Sequence, residues 1–368
     1  MDLFRQFEEV GGKDGGSGTN RLAGSSFKGR KNRAIEAVYP ADGDTVVIAN
    51  EIVAKFSLDF SYLISTRFSD GTDLYKSEGL RLSWSCGKAA DSYTVLLSDS
   101  KNMQSAKTFE TAEATVTVKD LFVVSEYFWQ VRAKTAEGEI VSDVFRFTTA
   151  QTPRTIDVEG VSNTRDIGGY CAADGKRIKQ GMVYRGAMLE GITESGIQSL
   201  LGAYGVRTEI DLRGAHESKN ILGDRINYVQ ISAPAYTTPN GTTGIDVPAN
   251  QPLVAQEIKV FADEKNYPVY VHCAGGRDRT GTLILLLEAL LGVNMNDLFL
   301  DYETSLLSQF GCADGTPVEK LYSTFFYPTY MYLCAYGEGT LMRNCERYLL
   351  DIGVTASEIA AIRSLLLV

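Results

Sequence analysis

Between about Ala34 and Ala150, apolar and polar residues alternate in short runs: Leu80-Arg-Leu-Ser-Trp84, Tyr93-Thr-Val-Leu-Leu97, Ala114-Thr-Val-Thr-Val118, Tyr127-Phe-Trp-Gln-Val-Arg-Ala133 and Val144-Phe-Arg-Phe-Thr148. Successive side chains of a strand face opposite sides, so a period of two predicts strands with one buried face, here an antiparallel sandwich. After Gln151-Thr-Pro-Arg154 the rhythm changes. Val206 to Leu212, Ile226 to Ile231 and Val269 to His272 read as strands. Leu283 to Leu287 is apolar enough for a buried helix, and Asn296 to Phe310 and Ala356 to Leu367 carry helical spacing, with Ile359, Ile362 and Leu366 on one stripe. Strands alternating with helices predict an α/β domain. Residues 11–33 are rich in Gly, Ser, Lys and Arg and hold too little apolar surface for a core. The expected organisation is therefore an arm over 1–33, a sandwich over 34–150 and an α/β domain over 151–368.

Within the sandwich, Trp84 sits on an early strand and Leu121 precedes Tyr127 by six residues, on a strand that ends in Val131-Arg-Ala133. This arrangement resembles a fibronectin type III domain, and the resemblance makes Tyr127 the corner tyrosine whose hydroxyl ties its strand to the preceding turn. Trp84 and Trp129 are expected in the core. The stretch from Asn50 to Gly79 is longer than that fold needs, which leaves the first strands undefined. Such a domain is expected to bind a partner or target.

Composition narrows the functions available. A net charge of −10 over 368 residues disfavours a nucleic-acid-binding face. No apolar run is long enough to span a membrane. Six cysteines without close pairs and only two histidines, His216 and His272, signal neither a disulfide framework nor a metal centre. No cofactor is expected. Glu8 and Glu9 interrupt any secretory leader in Met1 to Val10, so the cytoplasm is the expected compartment, or the exterior if a signal peptide has been removed.

One segment carries chemistry: His272-Cys273-Ala274-Gly275-Gly276-Arg277-Asp278-Arg279-Thr280-Gly281, between a predicted strand and a predicted helix. A tight loop at a helix N-terminus can aim successive backbone N–H groups at the oxygens of a phosphoryl group. Gly275 and Gly276 permit the curvature, and Arg277 adds positive charge beside it. Arg279 can bind two oxygens with its planar fork. Cys273 lies at the loop's floor, where the same positive field favours a thiolate nucleophile. Thr280 can donate to the sulfur as it leaves. His272 is expected to orient the loop through backbone hydrogen bonds.

The loop resembles that of protein-tyrosine and dual-specificity phosphatases, especially a bacterial branch with His-Cys-x-x-Gly-Lys-Asp-Arg-Thr-Gly, in which Arg277 takes the place of the lysine. Asn163-Thr-Arg-Asp-Ile-Gly-Gly169, Tyr184-Arg-Gly186, Asp211-Leu-Arg213 with Glu217, and Asp301-Tyr302 with Ser305 are similar to further motifs of that branch. The resemblance implies a metal-independent cysteine phosphatase fold from about Ile156 onward. It also implies that Arg165, Asp166, Arg185 and Arg213 crowd the phosphate. The implied substrates are phosphotyrosine or dual-specificity protein substrates, or else phosphoinositides and inositol phosphates. An inactive phosphate-binding or adhesive module is the reading from another class, and intact Cys273, Arg279 and Thr280 argue against it.

Three aspartates compete to be the general acid. Asp278, inside the loop, ranks ahead of Asp211 at a strand end. Asp246 comes third, within a Gly, Pro and Thr-rich stretch over 237–252 that reads as a lid. An aromatic group including Phe325, Phe326, Tyr327, Tyr330 and Tyr332 is expected in core packing. Because every phosphatase motif follows Gln151, residues 155–368 are expected to turn over an aryl phosphate alone.

Overall fold

A computed structural model describes residues 34–58, 73–234, 244–310 and 326–368. The expected arm, part of the expected lid and Phe325 lie outside the described residues. The N-terminal region is mostly β. It comprises β1 (Ile35–Tyr39), β2 (Asp44–Val46), one helix α1 (Glu51–Leu58), β3 (Leu80–Cys86), β4 (Ser92–Ser98), β5 (Lys107–Thr111), β6 (Thr115–Val118), β7 (Glu126–Thr135), β8 (Gly138–Val141) and β9 (Phe145–Thr149). Strands β1-β3-β6 form one sheet and β2-β9-β7-β4-β5 another, with β8 paired to β7. The alternation read from the sequence is what joins them. Leu82 and Trp84 of one sheet share a core with Val95, Trp129, Val131 and Phe147 of the other, and Trp84 lies 5.1 Å from Tyr93 and 6.4 Å from Trp129, ring centre to ring centre.

The C-terminal region is α/β. Its sheet runs β10 (Arg154–Thr155), β11 (Arg165–Asp166), β12 (Val183–Gly186), β15 (Val269–His272), β13 (Thr208–Asp211) and β14 (Asn227–Gln230), in that spatial order. The last four are mutually parallel, whereas β10, β11 and β12 pair antiparallel. The helices are α2 (Glu194–Ile197), α3 (Gln251–Val260), α4 (Asp278–Leu291), α5 (Met295–Thr304), α6 (Tyr327–Ala335), α7 (Leu341–Asp351) and α8 (Ala356–Leu366). Buried on both faces, β15 is apolar except at its end, and α4 is buried from Thr280 to Leu291. Helix α8 begins with a reciprocal cap between Thr355 and Glu358 and buries the predicted stripe of Ile359, Ile362 and Leu366. None of the described helices is long and apolar enough to cross a membrane.

The long stretch after Asn50 has a different destination from the sandwich around it. Val53 and Phe56 of α1, and Tyr75, are fully buried in the core of the α/β region, together with Val269, Val271 and Leu283 to Leu287. The two regions also meet at a polar seam. Gln180 donates to Val123 O and accepts from Val123 N, both at 2.8 Å, and Tyr204 Oη donates to Asp120 at 2.7 Å. Arg154 donates to Leu121 O while paired with Asp166 at 2.6 Å. Residues assigned by local pattern to the sandwich therefore complete its neighbour's core.

Candidate active site

Parallel pairing brings the C-terminal ends of three strands to one level: Gly186 and Asp211 are both in register with His272. Ligand sites of open α/β sheets form beyond such ends. Cys273 follows immediately, 3% exposed, and α4 begins five residues later.

Each loop carbonyl is held by a donor. His272 O accepts from Leu212 N at 2.9 Å, Ala274 O from Met188 N at 3.1 Å and Arg277 O from Gly281 N at 2.9 Å. Gly275 O accepts from Asn163 Nδ2 at 2.9 Å, and Gly276 O from Arg185 Nη2 at 2.8 Å. His272 Nδ1 lies 3.0 Å from Cys273 O. In a planar trans peptide the N–H points opposite to the C=O. Carbonyls held from outside thus turn the following N–H groups the opposite way, toward the inside of the loop. Gly276 has φ +68°, and a Cβ there would press into the Gly186 carbonyl, so only glycine suits the position.

Around this loop lies a ring of charges. Arg279 pairs with Glu217 at 3.2 Å, and this pairing, first through its hydrogen bond, lowers the Glu217 pKa. Arg213 grips both oxygens of Asp211 at 2.9 and 2.8 Å and reaches Glu190 at 2.6 Å. Burial works to raise the Asp211 pKa, but bonds from Arg213, the nearby His272 and Tyr228 outweigh it and bring it down to about 2. Beneath the loop, Arg165 Nε donates to Asp301 Oδ1 at 2.8 Å, and Arg185 pairs with the other oxygen of the same carboxylate. Arg165 also reaches Asn163 Oδ1 at 2.6 Å and Ser305 Oγ at 2.9 Å. Two guanidiniums sharing one buried carboxylate hold Asp301 ionised, its pKa lowered despite burial.

Glu209, Asp211 and His272 bring potential ligand atoms within 4.8 Å of one another. One Glu209 oxygen already faces His272 Nε2 at 2.9 Å and Asp211 is held by a guanidinium, while the second Glu209 oxygen is buried without a hydrogen-bond partner among the described residues. A cation there would have to displace Arg213, so the set is a poor fit for a metal.

A sequence model described as the tyrosine phosphatase family matches residues 156–368, more than half of the chain. The chain belongs to the tyrosine phosphatase family. A Cupriavidus necator protein provisionally named a tyrosine-protein phosphatase is 27% identical over 186 residues, which cover 41% of this chain and 66% of that protein. The chain thus spans just under two thirds of that relative. Among solved structures, the core catalytic domain of the PP-IP phosphatase SIW14 from S. cerevisiae, in complex with citrate, is 13% identical. It covers 50% of this chain and 92% of its own, with a TM-score of 0.31, too low to bear on substrate.

Several of the residues expected at the phosphate are engaged by the protein's own groups. Arg165 and Arg185 are 1% and 0% exposed, and both donate to Asp301, Arg165 also to Asn163 and Arg185 to Gly276 O. Asp166 is likewise a buried anchor, accepting from Gly168 N, Gly181 N and Arg154. Asp211 is committed to Arg213 and Tyr228, which with the nearby His272 bring its pKa down to about 2 against burial. Asp246 lies beside Tyr332, next to Ile245 whose carbonyl accepts from Tyr348 of α7. Thr280 Oγ1 is buried without a hydrogen-bond partner among the described residues, so no bond to the Cys273 sulfur is formed. Arg277 is directed to Phe310 O at 3.1 Å and Asp278 at 3.3 Å.

Glu209 was missed as the partner of His272. A carboxylate inside the predicted strand Val206 to Leu212 was the available signal, since a strand buried on both faces keeps a charge only with a partner. Asn163, quoted only as part of a motif, adopts φ +60° to reach Gly275 O.

Proposed function

We propose that this chain hydrolyses phosphomonoesters through a covalent phosphocysteine at Cys273. The observation that carries the reading is the loop in which the carbonyls of His272, Ala274, Gly275 and Gly276 are each held by a donor from outside it. It leaves a preorganised ring of N–H groups over a cysteine at a helix N-terminus. The thiolate attacks phosphorus in line, so an S–P bond forms as the bond to the leaving oxygen breaks. Arg279, released from Glu217, binds two equatorial oxygens as their charge redistributes. Asp278, half-buried at the first turn of α4, gives the leaving oxygen its proton. Water then attacks phosphorus, the S–P bond breaks, and the water's proton returns to Asp278. Phosphotyrosine and dual-specificity protein substrates are the class favoured by family membership.

The N-terminal region fits a fibronectin type III domain in one specific respect: Tyr127 Oη accepts from Phe122 N at 2.8 Å across the turn before its strand. The reading as a phosphatase is tested by assaying an aryl phosphate with the intact chain and with Cys273→Ser. Turnover should vanish in the variant while inorganic phosphate still binds, because the hydroxyl is a poor nucleophile and the cradle remains. Appreciable turnover by Cys273→Ser would refute it.

A further inference from the structure

We propose that Asp73 and Tyr75, carried by the N-terminal region, are positioning residues that brace the phosphate-binding loop; the proposal rests on the phosphatase reading. The chain leaves the sandwich after β2, and Asn50 Nδ2 fixes its return by donating to Leu74 O at 2.7 Å and Lys76 O at 2.8 Å. On this returning segment, one oxygen of Asp73 accepts from both Ser162 Oγ and Gln309 N, the latter at 3.0 Å. Leu74 N donates to Leu307 O at 2.8 Å. Tyr75, 1% exposed, accepts from Thr164 N at 3.1 Å. Its own proton goes to Thr164 Oγ1 at 3.2 Å, because that hydroxyl's proton is used on Ile156 O.

Both strands of this clamp end at the same point of the loop. Ser162 and Thr164 flank Asn163, which holds Gly275 O. Gln309 precedes Phe310, whose Cβ lies 3.1 Å from where a Cβ on Gly275 would sit and whose carbonyl accepts from Arg277. One carboxylate thus sets the spacing between the two segments that enclose Gly275. Nothing in the geometry places Asp73 or Tyr75 against the reacting atoms, so their effect passes through Asn163 and Phe310.

A brace of this kind should act on the alignment of the loop more than on substrate capture. In the full chain, Asp73→Ala and Tyr75→Phe should each lower kcat for an aryl phosphate on the order of tenfold, with KM little changed and the thermal midpoint nearly kept. Asp73→Asn, which retains the shared acceptor oxygen, should recover most of the rate. Asp73→Ala that is folded and matches wild-type kcat would overturn the brace. If that variant does not fold, Tyr75→Phe and Ser162→Ala carry the same test, and wild-type kcat in both would overturn it. A wild-type chain without turnover would instead sink the phosphatase reading, and the brace with it.

Discussion

Replacing Phe56 by alanine should destabilise the catalytic region, although the residue precedes every phosphatase motif by more than a hundred positions. Its side chain is fully buried in the core that contains β15 and α4. Emptying such a site costs about 3–5 kcal/mol, from lost transfer energy and the cavity left behind. For a domain of this size each kcal/mol lowers the midpoint by about 2–4 °C, which gives a fall of about 6–20 °C. Leu58, on the same helix but 88% exposed, is the control, and Leu58→Ala should fall within about 0.5 kcal/mol of wild type. The assay is thermal unfolding by circular dichroism run beside residual aryl phosphate turnover after heating. Both midpoints should fall together in Phe56→Ala and stay put in Leu58→Ala. An unchanged midpoint of activity loss in Phe56→Ala would refute the shared core. The same arithmetic bears on residues 155–368 expressed alone. They lack Val53, Phe56 and Tyr75, a loss comparable to the whole stability of about 5–15 kcal/mol of an ordinary domain. Soluble, fully active protein from that piece would count equally against the shared core.

Gly276→Ala should lower turnover by about a hundredfold, because a Cβ meets backbone that cannot yield, whereas Gly275→Ala, facing a side chain at 3.1 Å, should be milder; equal rates would contradict this. Asp211, whose pKa is depressed to about 2, contributes stability that is full above the unfolded value near 4 and is lost as pH falls through 2. The stability gap between wild type and Asp211→Asn, on the order of 1–2 kcal/mol after solvent screening, should therefore close between pH 4 and 2, and a gap independent of pH would refute the assignment. Burial raises the Glu303 pKa to about 8, so ionising it weakens the fold as pH climbs from about 4.5 to 8. Glu303→Gln should then stabilise the protein at pH 8 far more than at pH 5, as judged by thermal midpoints at both. Asp278→Asn should slow substrates with poor leaving groups much more than those with good ones, and equal slowing would make Asp278 a structural member of the loop.

What the sequence disclosed about the site depended on whether the information was local. The segment from His272 to Gly281 carries nucleophile, curvature and arginine within ten consecutive residues, so its chemistry could be read directly. Arg165 and Arg185 look alike in the sequence, each beside a Gly or Asp. Their burial is decided by Asp301, which lies 136 and 116 residues further on. Proximity to the phosphate was the natural inference from the motif, but their joint hold on one buried carboxylate is visible only in the tertiary packing. The strands of the N-terminal region were visible through their alternation, because each has one core face. Helix α1 and Tyr75 were not, since a short amphipathic segment does not announce which of two cores it enters. Asp211 illustrates the same limit for charge: its partner Arg213 is two residues away, yet the depth of its pKa shift also depends on Tyr228 and His272, which only parallel pairing brings near.

The covalent phosphocysteine at Cys273 is the step on which the proposed mechanism turns. The most direct measurement is acid quenching of the intact protein during turnover of a radiolabelled aryl phosphate, followed by peptide mapping of protein-bound label. Label is expected on the peptide containing Cys273 after the acid quench, and none in Cys273→Ser. Turnover with no protein-bound label under conditions where dephosphorylation is slowed, or label on any other residue, would contradict it.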